Sequence, residues 1–73
     1  MIKIKIDIHP LGRKPEKIEN LVSSLNEFSG VERIECPSSS RIIIYGECYD
    51  FTGVLSKITR AGYAVTSYRR KEL

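Results

Sequence analysis

The spacing of apolar residues along this 73-residue chain predicts an α+β sandwich. A strand-like alternation opens the chain, two stretches have the spacing of amphipathic helices, and two more strand-like stretches lie between those helices. With a last strand after the second helix, the order is β-α-β-β-α-β. Two right-handed crossovers flanking a hairpin then give a four-stranded antiparallel sheet of order 4-1-3-2 with both helices on one face. This is the ferredoxin-like arrangement.

The first strand and the first helix follow from two different periods. Isoleucines at positions 2, 4, 6 and 8 alternate with charged or polar residues, which is the pattern of a half-buried strand. A helix is predicted next, with Pro15 near its first turn, where a missing N–H is tolerated. Gly30 should end this helix. Its apolar stripe, which should face the sheet, is Ile18, Leu21, Val22, Leu25 and Phe28.

The middle of the chain predicts a β-hairpin. Val31, Ile34 and Cys36 begin a second strand, which Pro37 and the serine turn at 38–40 should stop. Residues 41–46 return as the third strand, rich in the β-branched residues that strands favour.

The last third of the chain predicts a helix and a strand. Asp50 is a suitable N-cap for the second helix, and Gly62 should close it. Residues 63–70 supply the last strand. No linker or repeat interrupts the pattern, so we expect a single domain over residues 1–73. The apolar stripe of this helix is Val54, Leu55, Ile58 and Ala61.

Composition and charge narrow the functional classes. A hydrophobic fraction of 41% predicts a folded globule. No apolar run approaches the roughly 20 residues of a transmembrane helix, so we expect no membrane partner. Two cysteines are too few for a disulfide framework, and a reducing cytoplasm is the expected location. The net charge of +3 is too weak by itself to indicate nucleic acid.

Three segments together carry a family pattern. They are residues 29–34 (SGVERI), residues 42–46 (IIIYG) and residues 50–63, which end in Ala-Gly-Tyr. They resemble the Gly-Val turn, third strand and second helix of the heavy-metal-associated domain family, the fold of copper chaperones and of the N-terminal domains of metal-pumping ATPases. The resemblance runs nearly end to end, but its signals are at the level of the fold. It implies the same ferredoxin-like architecture and a habit of docking to related domains.

The metal motif of that family is absent from this chain. Met-x-Cys-x-x-Cys falls here on Gly12, Lys14 and Lys17. Thiolates select Cu(I) or Zn(II), whereas an ammonium group has no lone pair and repels a cation. The resemblance therefore implies a scaffold that has lost its thiolate site, and we expect no metal or other cofactor. Metal-ion binding or transport, as in the resembled family, stays an alternative function.

The other reactive side chains do not predict a metal site or an active site. Cys36 and Cys48 should lie at opposite ends of the sheet, too far apart for a disulfide or a shared metal. Cys36 is most simply a small core residue. His9 precedes a proline and has no nucleophile or carboxylate fixed beside it. We therefore predict that the chain is not an enzyme.

A basic loop before the first helix is one candidate site. The N–H groups and the dipole at a helix N-terminus favour anions, and this loop adds cations at that position. A phosphate or a carboxylate of a protein partner is the expected guest. The residues are Gly12, Arg13, Lys14 and Lys17, with Arg41 and Arg60 at the same end of the sheet.

The sheet face away from the helices is a second candidate site. Regular alternation places on it Lys3, Lys5, Ile43, Tyr45, Tyr68 and Arg70. Cations mixed with rings can hold RNA by phosphate contacts and base stacking. The sequence thus predicts a small non-catalytic binding or protein-interaction module. We expect a protein partner or a small anionic ligand at the basic loop, with RNA on the sheet face as the alternative.

Overall fold

A computed structural model describes residues 1–47 and 50–73 and confirms the predicted fold class. The sheet is antiparallel with the order β2-β3-β1-β4, which is the predicted order counted from the other edge. The elements are β1 (Ile2–Pro10), α1 (Ile18–Asn26), β2 (Val31–Ser38), β3 (Arg41–Gly46), α2 (Phe51–Arg60) and β4 (Tyr63–Glu72).

One hydrophobic core lies between the sheet and the two helices. The isoleucines of the central strands supply its sheet side, and Ile6, Ile42 and Ile44 are fully buried there. Leu21 and Leu25 of α1 and the buried residues of α2 cover them. No polar or charged residue is buried among those that the structure describes. The core therefore accounts for the alternation in β1 and β3 and for most of the two predicted helix stripes, of which Val22 and Leu55 are only partly buried.

The segment between β1 and α1 is held against the turn between α2 and β4. The Leu11 N–H donates to the Gly62 carbonyl at 2.7 Å, and the Glu16 N–H donates to the Ala61 carbonyl at 2.8 Å. The hydroxyl of Tyr63 donates to the Glu16 carbonyl at 2.7 Å. Because these bonds keep the segment extended, α1 begins at Ile18, later than the first turn predicted at Pro15.

Both predicted ends of α2 agree with the structure, whereas the predicted end of α1 does not. The Asp50 side chain accepts a hydrogen bond from the Gly53 N–H at 3.0 Å, which is the N-cap predicted for α2. Gly62 follows the C-cap Ala61 of α2 with a φ of 95°, the left-handed conformation that ends a helix at glycine. Gly30 also has a left-handed φ, of 90°, but α1 already ends at Asn26 with Glu27 as its C-cap, so the prediction that Gly30 ends this helix was wrong.

The second strand differs from its prediction in length and burial. It runs through Pro37 to Ser38. Proline has no backbone N–H, so it is tolerated on an edge strand at a position where that group would face solvent and pair with no other strand. Cys36 is exposed, so its assignment to the core was wrong. Its thiol lies 3.0 Å from the Ser38 carbonyl, near the end of an edge strand in which only Val31 and Ile34 are partly buried. The predicted position of Cys48 lies outside the described residues.

A β-bulge in β4 changes which of its residues face the helices. Val65 is opposite Ile8, but Ser67 is opposite Asp7, so Thr66 is an extra residue between two pairs. The Thr66 hydroxyl donates to the Asp7 carbonyl at 3.2 Å. Beyond the bulge, the alternation of side chains is reversed relative to a regular strand.

The bulge overturns the placement of Tyr68 and Arg70 on the open sheet face. Tyr68 is opposite Ile6 and Arg70 is opposite Ile4, and both isoleucines belong to the core. Residues directly opposite in an antiparallel pair share a face, so both side chains lie on the helix side. The ring of Tyr68 accordingly meets the ring of Phe51, the first residue of α2, at a centroid distance of 4.9 Å.

Candidate functional site

The sheet surface turned away from both helices is the open face. Its members follow from the strand register: each faces outward because the residue beside it in its strand faces the core. Six are cations and two are carboxylates. The open face comprises Arg33 and Glu35 of β2, Arg41, Ile43 and Tyr45 of β3, Lys3, Lys5 and Asp7 of β1, and Ser67, Arg69 and Lys71 of β4.

Four of these cations form a group on β1 and β4, which we call the basic cluster. Lys3 is directly opposite Lys71, and Lys5 is directly opposite Arg69. The four side chains line a shallow depression of about 200 Å³. None of them forms an ion pair with any carboxylate among residues 1–47 and 50–73. Like charges directly opposite each other destabilise a sheet, so the cluster is costly to the fold unless an anion neutralises it.

Tyr45 lies beside the basic cluster and carries a cation on its ring. The guanidinium carbon of Arg33 is 4.2 Å from the ring centroid, and the ammonium nitrogen of Lys3 is 5.7 Å from it. Contacts of this kind hold a cation against an aromatic face without neutralising its charge. The open face thus offers a stacked ring and guanidinium next to a concentration of positive charge.

Asp7 is engaged by two neighbours at the other end of the open face. The Nε–H of Arg41 donates to Oδ1 of Asp7 at 2.8 Å, and the hydroxyl of Ser67 donates to Oδ2 at 2.8 Å. The hydrogen bond from Arg41, followed by that from Ser67, lowers the pKa of Asp7 below its ordinary value of 3.8. The pairing of Asp7 with Arg41 was not predicted from the sequence.

The lowered pKa of Asp7 makes a prediction about acid stability. An acid with a lowered folded-state pKa stabilises the fold above its unfolded pKa, and that contribution disappears as the pH falls through the folded value. We expect Asp7→Asn to reduce the free energy of unfolding most at neutral pH, and the deficit to shrink as the pH falls below 3.8. Urea unfolding at pH 7 and pH 3 measures it. Glu35→Gln, on the same face, is the control. An Asp7→Asn deficit that is the same at both pH values would contradict the prediction.

The basic loop predicted as an anion site is exposed and lies at one end of the molecule. Gly12, Arg13, Lys14 and Lys17 are all exposed, and Lys17 is the N-cap residue of α1 without a side-chain cap. Arg60, also exposed, ends α2 beside the turn that binds this loop. Arg41 is separated from them, because its side chain is bound to Asp7 on the open face. Anion binding by the loop stays a prediction.

Among residues 1–47 and 50–73, no group of three or more His, Cys, Asp and Glu side chains could hold a metal ion. In the same part of the chain, no helix is long and apolar enough to cross a membrane.

Comparisons with known proteins leave the family open. No family model matches the chain, and a search of curated proteins found no significant match. The resemblance to heavy-metal-associated domains therefore stays a prediction.

Of the residues predicted for the sheet site, the structure keeps Lys3, Lys5 and Tyr45 on the open face. It replaces Tyr68 and Arg70 with their neighbours Arg69 and Lys71. The sequence did contain a signal for this site, the basic run at residues 69–71. Because the three cations are consecutive, at least one of them lies on the open face whichever way the strand alternates. Arg33 was not predicted as a member of the site, because its contact with Tyr45 depends on the register between β2 and β3.

Proposed function

We propose that this chain is a non-catalytic binding module that holds a single-stranded nucleic acid, RNA in the first instance, on its open face. The observation that carries the proposal is the pair of like-charge contacts in the basic cluster, Lys3 opposite Lys71 and Lys5 opposite Arg69. Such pairs lower the stability of an empty sheet, whereas a bound polyanion turns the same charges into favourable contacts.

The dimensions of the cluster suit an extended chain of phosphates. Residues two apart on a strand are about 6.8 Å apart, and neighbouring strands are about 4.8 Å apart. The four cations therefore occupy a small patch of the sheet. Their long, flexible aliphatic side chains let the charged groups adjust to the phosphates of a flexible nucleic-acid backbone. One strand with several phosphates neutralises them together, which a single carboxylate does not.

The ring beside the cluster favours nucleic acid over an acidic protein. Tyr45 and the guanidinium of Arg33 are stacked on each other next to the cations. Unpaired bases stack on aromatic rings and on guanidinium planes, and each such contact is worth about 1–3 kcal/mol. An acidic peptide could use the cations but gains little from this stack. The basic loop offers cations at a helix N-terminus without a comparable second feature.

Two double variants of equal charge test the proposal. Arg69→Gln with Lys71→Gln removes two cations from the basic cluster, and Lys14→Gln with Lys17→Gln removes two from the basic loop. Anisotropy of a fluorescein-labelled ten-nucleotide oligouridylate measures the affinity. We expect about a tenfold or larger loss for the first variant, since each lost phosphate contact is charge-assisted, and little change for the second. A loss confined to the loop variant would move the ligand to the basic loop.

The salt dependence is an independent readout of the same contacts. For single strands, the slope of log K against log salt is about −0.7 per phosphate neutralised, so four contacts give about −2.8. The cluster variant should flatten the slope by about 1.4, and the loop variant should leave it unchanged. If both variants lost the same affinity and had the same salt slope, binding would depend only on net charge, and the proposed site on the open face would be wrong. Equal competition by polyglutamate would indicate an acidic protein partner instead.

A further inference from the structure

We infer that Arg41, together with Lys5 and Arg69, forms a seat for the terminal phosphate of the strand bound to the open face. The inference rests on the proposed function for the rest of the ligand, but the seat has its own geometry. It is a depression of about 260 Å³ at the end of the face near the β2–β3 turn, and its lining residues on the open face are Lys5, Asp7, Arg41, Ser67 and Arg69.

Arg41 is oriented in a way that leaves its anion-binding edge available. Its Nε–H is bound to Oδ1 of Asp7 at 2.8 Å, and Asp7 is in turn held by the hydroxyl of Ser67 at 2.8 Å. Its terminal nitrogens make no hydrogen bond to any residue that the structure describes. A guanidinium fixed through Nε presents two parallel N–H groups, which is the fork that matches two oxygens of a phosphate.

The balance of charge in the seat favours a phosphate monoester over a carboxylate. Three cations, Lys5, Arg41 and Arg69, meet there against the single carboxylate of Asp7. Both oxygens of that carboxylate already accept hydrogen bonds, so Asp7 positions Arg41 and does not occupy the depression as a free acceptor. The excess of two positive charges equals the charge of about −2 on a terminal phosphate near pH 7.

The position and size of the depression point to the end of a strand. Lys5 and Arg69 belong both to the basic cluster and to the seat, so the two sites are continuous. Arg41 is the first residue of β3, directly after the turn, and the face ends there. A volume of about 260 Å³ is below the usual range for a whole small-molecule pocket but accommodates a phosphate and part of its sugar.

Oligouridylates with a 5′-phosphate, with a 3′-phosphate or with neither test the inference. We expect one of the two phosphorylated strands to bind the unmodified protein about tenfold more tightly than the strand with neither, as two charge-assisted hydrogen bonds warrant. Arg41→Gln should remove that gain but keep the affinity for the unphosphorylated strand. Arg41→Lys, which keeps the charge and loses the fork, should remove most of it. Arg70→Gln, on the opposite face, should keep it.

The outcomes separate this inference from the proposed function. If neither terminal phosphate improves binding, or if Arg41→Gln and Arg41→Lys both retain the gain, the seat is wrong even where RNA binds. If no oligouridylate binds, the proposed function fails. In that case uridine 5′-monophosphate should still shift the Nε–H resonance of Arg41 in an NMR titration, and the absence of that shift would overturn the seat as well.

Discussion

Replacing Gly46 with alanine should destroy the fold of this chain. Gly46 is the last residue of β3, is buried, and is paired with Ile2 on one side and with Val31 on the other. A Cβ added there would overlap the carbonyl oxygen of Gly30 and lie 3.0 Å from the carbonyl carbon of Gly30 and from the Cα of Val31. All three are backbone atoms, so no change of rotamer relieves the clash.

The expected loss is comparable with the whole stability of the domain. A domain of 73 residues has a free energy of unfolding of about 4–11 kcal/mol. Separating β3 from the start of β2 breaks pairs beside the core and strains the bond from the Glu47 N–H to the Gly30 carbonyl, which is 2.9 Å long. Overpacking alone costs about 1–3 kcal/mol where side chains can adjust, and backbone cannot adjust as they do.

Urea unfolding followed by circular dichroism measures this loss, and Gly12→Ala is the matched control. Gly12 has φ of 76°, but a Cβ added there meets nothing within 4 Å. The control should therefore cost only the strain of the left-handed conformation, about 1–2 kcal/mol. A Gly46→Ala protein with the unfolding midpoint of the unmodified chain would show that the turn at Gly30 yields, and the close approach would then be unimportant.

The alternating isoleucines show why the fold was predictable from sequence. In β1 every second residue is apolar, and a one-residue slip would expose all of them, so this pattern permits only one inward face. The stripes of the two helices are equally restrictive, because only one side of each helix can meet that face. These are short-range signals repeated several times, and the core follows from them together.

The candidate site was harder to predict because it depends on single residues. One extra residue in β4, Thr66, exchanges the faces of all the residues beyond it. The residues between 63 and 72 are polar enough that neither alternation leaves an obvious apolar row, so the bulge has no hydrophobic signature. Cys36 was assigned to the core by the same regular alternation, without allowing for an edge strand that the helices leave exposed. The sheet face that a side chain occupies is thus predictable only in strands where burial of apolar residues determines it.

The pairing of Asp7 with Arg41 was also hard to predict, because the two residues are distant in sequence. Arg41 was predicted at the end of the sheet near the basic loop, but its contact with Asp7 requires the register of β1 against β3. That register depends on a loop, a helix and a hairpin that lie between them. The two partners are 34 positions apart in the sequence, and no local sequence pattern identifies them as a pair.

The double variant Lys3→Glu with Lys5→Glu should stabilise the fold while abolishing the binding of oligouridylate. Each substitution places a carboxylate directly opposite a cation, Lys71 or Arg69, where two like charges now stand. An opposite-charge pair across strands contributes about 0.2–1 kcal/mol, and the removal of a like-charge pair adds a comparable amount. We therefore expect a gain of about 1 kcal/mol or more at low salt. In a domain of this size, each kcal/mol raises the melting temperature by about 4–8 °C.

The loss of binding should be the larger effect. Two phosphate contacts disappear and two carboxylates are placed against the strand, so we expect at least about a hundredfold weaker binding at low salt. The matched control is Lys14→Glu with Lys17→Glu, which has the same change of net charge. It should also stabilise the protein, by a few tenths of a kcal/mol, because carboxylates suit a helix N-terminus, but it should retain the affinity. Thermal unfolding and anisotropy measure the two quantities. Stability and binding that fall together in the cluster variant would mean damage to the sheet, and the interpretation of the basic cluster as a binding site kept at the expense of stability would be wrong.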